Sequence, residues 1–386
     1  MSEPVPALRL SAFYFAYYAA LGAFTPYWSL FLKARGQDAV AISVLMSLWY
    51  ATRVLAPSTW GWLAGRSSRP VRWLRIGSVA TLAGCAVFLV PLGFTGLALA
   101  MCGFCFAWNA VMPQFESITL SHLPGRSERY GRIRVWGSIG FIAVVGLFGI
   151  AFDHWPITAL PLMMLPLFAG LVAASFGNDY GPGVHEIVVG ATGFAQLLRR
   201  GEVRAFFAVA FLMQVSYGPY YTFFSLYLEQ HGYRPSALGG YWAVGVAAEI
   251  VVFFISARLF ARWDPRRIVP LALVFAALRW WVTALFPENV PVMIAAQLTH
   301  AISFAGFFAA SMMLLARYFP GRSNGHAQGI YYGLSSGVGG VLGALLAGWM
   351  WQIGGGRLAF LVAGVAALAG AILAMTSLRT PAAQVS

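Results

Sequence analysis

The feature that most constrains this chain is a recurrence of long apolar runs. Twelve stretches of apolar residues fall at about 8–32, 39–63, 73–94, 96–120, 132–152, 157–176, 205–228, 237–260, 267–286, 290–316, 326–351 and 357–378. A helix needs about 20 apolar residues to cross the hydrocarbon core of a bilayer. The runs lack the strand-like alternation and turns of a barrel, and in lipid a backbone that does not form a barrel must satisfy itself as helix. Composition agrees: of 386 residues, 60% are hydrophobic and only 10% are charged. A soluble chain of this length needs far more polar surface. The expected fold class is an all-α integral membrane protein with twelve transmembrane helices.

The opening MSEPVPALRLSAFYF has no basic n-region and no small-x-small site. Its apolar run continues as a full span, so it reads as a first helix rather than a cleaved signal. The formal charge of +13 could suggest a nucleic-acid binder, but its distribution points elsewhere. Of 25 basic residues, 19 fall in even-numbered loops and the two termini, four in odd-numbered loops, and two, Arg53 and Arg279, within spans. Under the positive-inside rule both termini are expected in the cytoplasm. Cys85, Cys102 and Cys105 all lie within spans, so the C-x-x-C they contain reads as small packing residues rather than a redox pair.

An internal repeat divides the chain. WSLFLKARG (28–36) resembles FSLYLEQHG (224–232) at an offset of 196 residues. The same offset carries Gly22 to Gly218, Arg66 to Arg262, Gly137 to Gly333 and PGRS at 124–127 to PGRS at 320–323. Two six-helix bundles in the same orientation are therefore expected, 1–176 and 205–386. Between them, 177–204 reads as a cytoplasmic linker with a short surface helix in its basic part, GFAQLLRRGEVR (193–204). Parallel six-span repeats, related by a pseudo-twofold along the membrane normal, are the plan of major facilitator transporters.

Local motifs resemble that family. GWLAGRSSR (61–69) is similar to its G-x-L-a-D-R-x-G-R signature through Gly61, Leu63, Ala64, Arg66 and Arg69. The aspartate position holds Gly65, and its repeat equivalent holds Ala261. The resemblance implies a cytoplasmic gate at Gly61, Arg66, Arg69 and Arg262, lacking the acidic latch. NAVMPQFE (109–116) and YGRIRVWGSIG (130–140) are similar to the span 4–5 region of lactose permease, where an acid and an arginine contact the sugar. That likeness places Glu116, Arg134 and Asn109 among the solute-binding positions. GVAAE (245–249), ALR (277–279) and LTH (298–300) match the acid, arginine and histidine of its spans 8, 9 and 10. Gln297 and Ser303 stand where it has lysine and glutamate, and span 7 carries SYGPYY (216–221) in place of its acids. Through YGPYYTFFSLYL in span 7, the chain is more similar to the 3-phenylpropionate permease branch.

An ionised group at the centre of a bilayer costs at least ~2.5–3.5 kcal/mol on insertion scales. The intramembrane charges Arg53, Arg279, Glu249 and Glu116 should therefore pair inside the bundle. The 196-residue offset carries Arg53 onto Glu249, two lone charges of opposite sign at equivalent positions. Desolvation favours the protonated form of a carboxyl, which makes Glu249 the expected coupling acid. A purely structural ion pair is the alternative. His300 titrates near neutrality when unperturbed, and Arg279 is expected to orient one of the two. Glu249 could pair with Arg134, and Glu116 with Arg134 or with the cluster of Arg126 and Arg129. Arg53 would then face no acid. It either holds an anionic solute or bonds backbone carbonyls, since Pro57 frees the carbonyl of residue 53 itself.

Aromatic residues crowd the spans that line the cavity in this family. Tyr14/Tyr18 and Tyr217/Tyr221 are i, i+4 pairs on shared helix faces, joined by Trp108 and Phe304. Such walls suit an aromatic or amphipathic solute. Lipid contact or interfacial anchoring is the alternative for some aromatics, Trp28 among them. GLSSG (333–337) fits the G-x-S-x-G nucleophile elbow, with Ser335 as nucleophile, but lies within a helical run with glycines every four residues. That context suits helix packing rather than hydrolysis.

The resemblance implies a proton symporter of a small aromatic carboxylate in the bacterial inner membrane. Its expected partners are the solute, protons and the lipid bilayer, for a chain acting as a monomer without metal, cofactor or nucleic acid. A neutral sugar or nucleoside is the other solute class. A non-transporting membrane sensor and a membrane enzyme are the readings from other classes, the enzyme lacking a nucleophile–base constellation.

Overall fold

The computed structural model describes residues 5–124, 128–181, 194–320 and 323–378. Every one of the twelve apolar runs is occupied by helix, and no strand occurs among the described residues. In chain order the helices are α1 (Ala7–Ala34), α2 (Ala39–Gly65), α3 (Val71–Ala86), α4 (Phe94–Ser121), α5 (Glu128–Phe152) and α6 (Leu160–Phe176). A short α7 (Phe194–Arg199) sits in the basic part of the linker, as its sequence suggested. The rest of the linker, 182–193, lies outside the described residues. Then follow α8 (Gly201–Ser216), α9 (Gly218–Gln230), α10 (Pro235–Arg262), α11 (Pro265–Leu285), α12 (Val290–Leu298), α13 (Phe307–Tyr318), α14 (Ser323–Tyr331) and α15 (Gly340–Ser377).

Nine helical stretches among the described residues are long and apolar enough to cross a membrane. The difference from twelve runs has local causes. The last stretch, Ser323–Ser377, is 55 residues long and contains two of the predicted spans. They meet at Gly354 and Gly355, where Gly355 takes φ +67°, a conformation that glycine adopts without steric cost. The seventh run breaks into α8 and α9 at Tyr217, just before Gly218 and Pro219. Pro219 has no N–H to continue the ladder, and its ring crowds the carbonyl of residue 215, four residues before it. The first run stays one 28-residue helix, but Arg9, four tyrosines and Lys33 dilute its apolar character.

The described residues group into two compact units. One comprises Met1–Glu186 with Leu228–Ala243; the other comprises Ile187–Tyr227 with Val244–Ser386. In the first, α1 packs along α5, and α4 packs on α2 and α3. In the second, α15 packs along α8 and α11. Glycines permit the closest approaches: Gly22 meets the backbone at Phe141, and its repeat equivalent Gly218 meets the backbone at Gly343. Helix starts are capped where polar residues precede them. Asp38 accepts from the amide of Ala41 at 2.8 Å, and Asp264 from that of Arg266 at 2.8 Å. Desolvation pushes the Asp264 carboxyl up, but the cap and two arginines, Arg317 and Arg266, outweigh it and hold the group below its ordinary value.

Lys33 and Glu229, equivalent positions in the two repeats, form an exposed ion pair at 2.7 Å within the first unit. Trp28 departs from the reading as an interfacial anchor. It is fully buried, its indole N–H 3.1 Å from the Met101 sulfur, with Phe24, Phe31 and Phe88 around the ring. The helix turns it onto the α4 face, where ring packing outweighs any interfacial role.

Candidate functional site

In the second unit, α10, α11 and the α12–α13 segment bring three charged or titratable residues together. Arg279, buried to 2% exposure, directs its Nη1 to His300 Nδ1 at 2.6 Å and its Nη2 to Gln297 Oε1 at 2.9 Å. On the far side of the ring, His300 Nε2 lies 2.5 Å from Glu249 Oε1. Arginine can only donate, so Nδ1 must accept and the ring proton sits on Nε2, facing Glu249. The guanidinium lies over Tyr220 at 4.2 Å and Trp280 at 4.5 Å, stacking that favours a desolvated cation.

Gln297 and His300 sit one helical turn apart, so both present to Arg279. A six-residue π-helical stretch, Ala301–Gly306, follows His300 directly. Such wide turns interrupt α-helices mostly at functional positions. Here it carries Ser303, hydrogen-bonded to the Tyr217 hydroxyl at 3.0 Å, and Phe304, stacked on His300 at 5.2 Å. Gln297 and Ser303, the positions that depart from the lactose permease pattern, are thus both built into this network. The Tyr220 hydroxyl joins it, donating to the Gln297 oxygen at 3.2 Å. Tyr217 is buried and Tyr221 half-buried, with their rings 5.7 Å apart.

The first unit holds a second polar region on α1, α2, α4 and α5. Arg53 is half-buried on α2, and its Nε donates to Asn109 Oδ1 at 3.3 Å. The Asn109 amide is fixed in turn, donating to the Trp49 carbonyl at 2.8 Å and to the Thr52 hydroxyl at 2.9 Å. The guanidinium lies 4.9 Å from the Trp49 ring. Among the described residues no carboxylate stands within ion-pair distance of Arg53. Its recorded partner is a side-chain amide, not the backbone carbonyl freed by Pro57.

Of the pairings open to Glu116, the geometry has Arg134, whose Nε is 3.8 Å from Glu116 Oε1. Arg126 lies outside the described residues. Arg134 also donates to the Tyr18 hydroxyl and lies 4.0 Å from that ring and 5.3 Å from Tyr14. Tyr14 is buried, with its hydroxyl 3.3 Å from that of Thr119. Trp108 is fully buried among Phe24, Trp49 and Phe168, so it backs this region rather than facing open space.

The expected gate residues Gly61, Arg66, Arg69 and Arg262 are all exposed, with Arg66 stacked on Trp62 at 3.9 Å. Cys85 and Cys105 are buried and Cys102 exposed, all three as free thiols. Ser335 lies in a second π-helical stretch, Tyr332–Gly339, with its hydroxyl on the Tyr331 carbonyl. The context is helical, with no strand before it, but Gly329 and Gly333 face open space rather than the close helix packing expected of them. Among the described residues no group of His, Cys, Asp or Glu could hold a metal ion.

Some site residues escaped sequence reasoning. Tyr130 donates its hydroxyl to Glu116 Oε2 at 2.8 Å. Its place four residues before Arg134 was a signal that both share a face. Tyr220 and Trp280 flank Arg279; Trp280 follows it directly in sequence, a position that gives no hint of a stacking contact.

The profile of the MFS_1 like family matches residues 7–362. The probable 3-phenylpropionic acid transporter of Escherichia coli (strain K12) is 26% identical over 346 residues, covering 88% of this chain and 89% of the relative. The maltose permease of Geobacillus stearothermophilus is 26% identical over 362 residues, covering 89% and 88%. The crystal structure of the nucleoside transporter NupG superposes with TM-score 0.86 at 14% identity, covering 97% of this chain and 99% of that one. The chain belongs to the MFS_1 like family, as a multi-pass membrane protein and secondary transporter of the major facilitator type.

Proposed function

We propose that the chain is a proton-coupled symporter that imports a small aromatic carboxylate of the 3-phenylpropionate kind by alternating access. Arg53 carries this reading. It is a permanent cation inside an apolar helix, held beside Asn109 and without a carboxylate at ion-pair distance among the described residues. Intramembrane charges are retained for function by default, and an anionic solute would complete this one. The aromatic rings of Tyr14 and Tyr18, in the same unit as Arg53, suit the remainder of such a solute. The name of the Escherichia coli relative points the same way.

Glu249 takes and releases the proton, through its hydrogen bond to His300. Arg279 acts as a positioning residue that holds the histidine in one tautomer. Arg134 with Glu116 is the second place for a solute carboxylate or hydroxyl. The chain sits in the bacterial inner membrane as a monomer with both termini in the cytoplasm, its two six-helix halves joined through 177–204.

A neutral sugar or nucleoside is the second reading. The Glu116–Arg134 pair favours it, since a carboxylate and a guanidinium both bond hydroxyl groups, and the Geobacillus relative is named a maltose permease. A thermal-stabilisation screen of the purified protein separates the two. The first reading expects 3-phenylpropionate to raise the melting midpoint while its neutral amide does not. Stabilisation by maltose or a nucleoside, with none by the acid, overturns it.

A further inference from the structure

At one end of the first unit, the first turns of α1 and α5 part and leave a groove of about 410 Å³. Its walls include Leu8 and Ser11 on α1, and Arg129, Arg132, Ile133 and Trp136 on α5. Further along, the two helices close tightly, with Gly140 against the Phe15 backbone and Gly22 against Phe141. The groove lies where these glycines give way to large side chains. Arg129, Arg132 and Trp136 are spaced to share one face of α5.

Two properties of the groove point to different parts of one ligand. Arg129 and Arg132 are exposed, and neither has a carboxylate at ion-pair distance among the described residues. Two guanidiniums in such a setting match a phosphate, whose oxygens accept their paired N–H groups. Beside them are an exposed Leu8 (83%) and a half-exposed Trp136 (46%). A free anion gains nothing from these apolar groups, and a lipid of no net charge gains far less from the arginines than an anionic one. Tryptophan beside arginine at the end of a spanning helix is the composition of a membrane–water interface, and basic pockets at that level hold anionic headgroups.

We propose that this groove binds one anionic phospholipid, with its phosphate on Arg129 and Arg132 and its first acyl carbons on Leu8, Ile133 and Trp136. Assignment to the cytoplasmic leaflet rests on the proposed orientation of the termini; binding itself does not.

The test uses the full chain in neutral detergent, mixed with dioleoyl phosphatidylglycerol, dioleoyl phosphatidylcholine or inorganic phosphate. Native mass spectrometry counts retained lipid. Phosphatidylglycerol is expected to be retained roughly 30-fold more tightly than phosphatidylcholine, from two arginines near one headgroup. In R129Q/R132Q the ratio falls to about one, and each single variant loses about fivefold. W136A weakens both lipids and keeps their ratio, and R200Q/R204Q, which removes the same charge elsewhere, leaves it unchanged. Equal retention of the two lipids by the native chain overturns the proposal. So does a preference that survives in R129Q/R132Q, that is undiminished in either single variant, or that falls equally in R200Q/R204Q. Inorganic phosphate that displaces the bound phosphatidylglycerol at equal concentration overturns the lipid as ligand.

Discussion

Arg53 and Arg279 are both guanidiniums set in apolar helices, yet their surroundings differ. Arg279 is buried, with two nitrogens bonded to His300 and Gln297 and two aromatic rings against its face. Its charge is answered within the unit by Glu249 across the imidazole. Arg53 is half-buried and makes one 3.3 Å bond to a neutral amide. A buried charge is stable only when paired and hydrogen-bonded, and Arg279 largely meets that condition from protein groups, its Nε alone being buried without a hydrogen bond. Arg53 does not, and so is the better placed of the two to receive a charge from outside the chain.

The largest effect that can break this contrast is expected at Glu249. Glu249→Gln keeps an oxygen to accept from His300 Nε2 but removes the exchangeable proton. Proton-driven uptake of labelled solute into vesicles should be lost, while exchange of internal for external solute continues. Unchanged net uptake would show that the second unit's cluster is structural. Arg279→Leu comes next. It strips one partner from a buried charge network, at a cost of about 3–5 kcal/mol. A melting midpoint as high as that of the native chain would mean that Arg279 is no better satisfied than Arg53.

Arg53→Gln should have almost no such stability cost. It should instead weaken carboxylate solutes by roughly 10–100-fold, the worth of a charged hydrogen bond of ~1.5–3 kcal/mol, and spare their neutral amides. Equal loss for both solutes in competition binding would place Arg53 with the structural arginines. The smallest effect is expected at the Lys33–Glu229 pair, whose two side chains are 50% and 42% exposed. Either single neutralisation should cost only about 0.2–1 kcal/mol of stability. A larger shift in the melting midpoint would give this exposed pair a role the buried charges were thought to hold alone.

Much of the fold was legible because lipid leaves the backbone few choices. Twelve apolar runs became helix, and the offset that carries Gly22 to Gly218 reappears as two close helix contacts. The meeting of Glu249, His300 and Arg279 was approachable, since single charges in three apolar helices need one another. What could not be read was how helices would bend. The π-helical turn after His300 has no proline to mark it, and it brings Ser303 and Phe304 onto the network. Trp28 departs from expectation for a related reason: position along a span says how deep a ring lies, not which face it takes. The Arg134–Glu116 distance depended on the relative placement of α4 and α5, which periodicity alone does not set.

The bond from Arg279 to His300 has a consequence for the energetics of transport. With Nδ1 occupied, the ring carries only the proton it shares with Glu249. On the proposed reading, the cluster then loads one proton per cycle. One proton moving with one monovalent carboxylate transfers no net charge. Accumulation of that solute would follow the pH difference across the membrane and ignore the voltage, whereas a sugar carried with the same proton would make the cycle electrogenic.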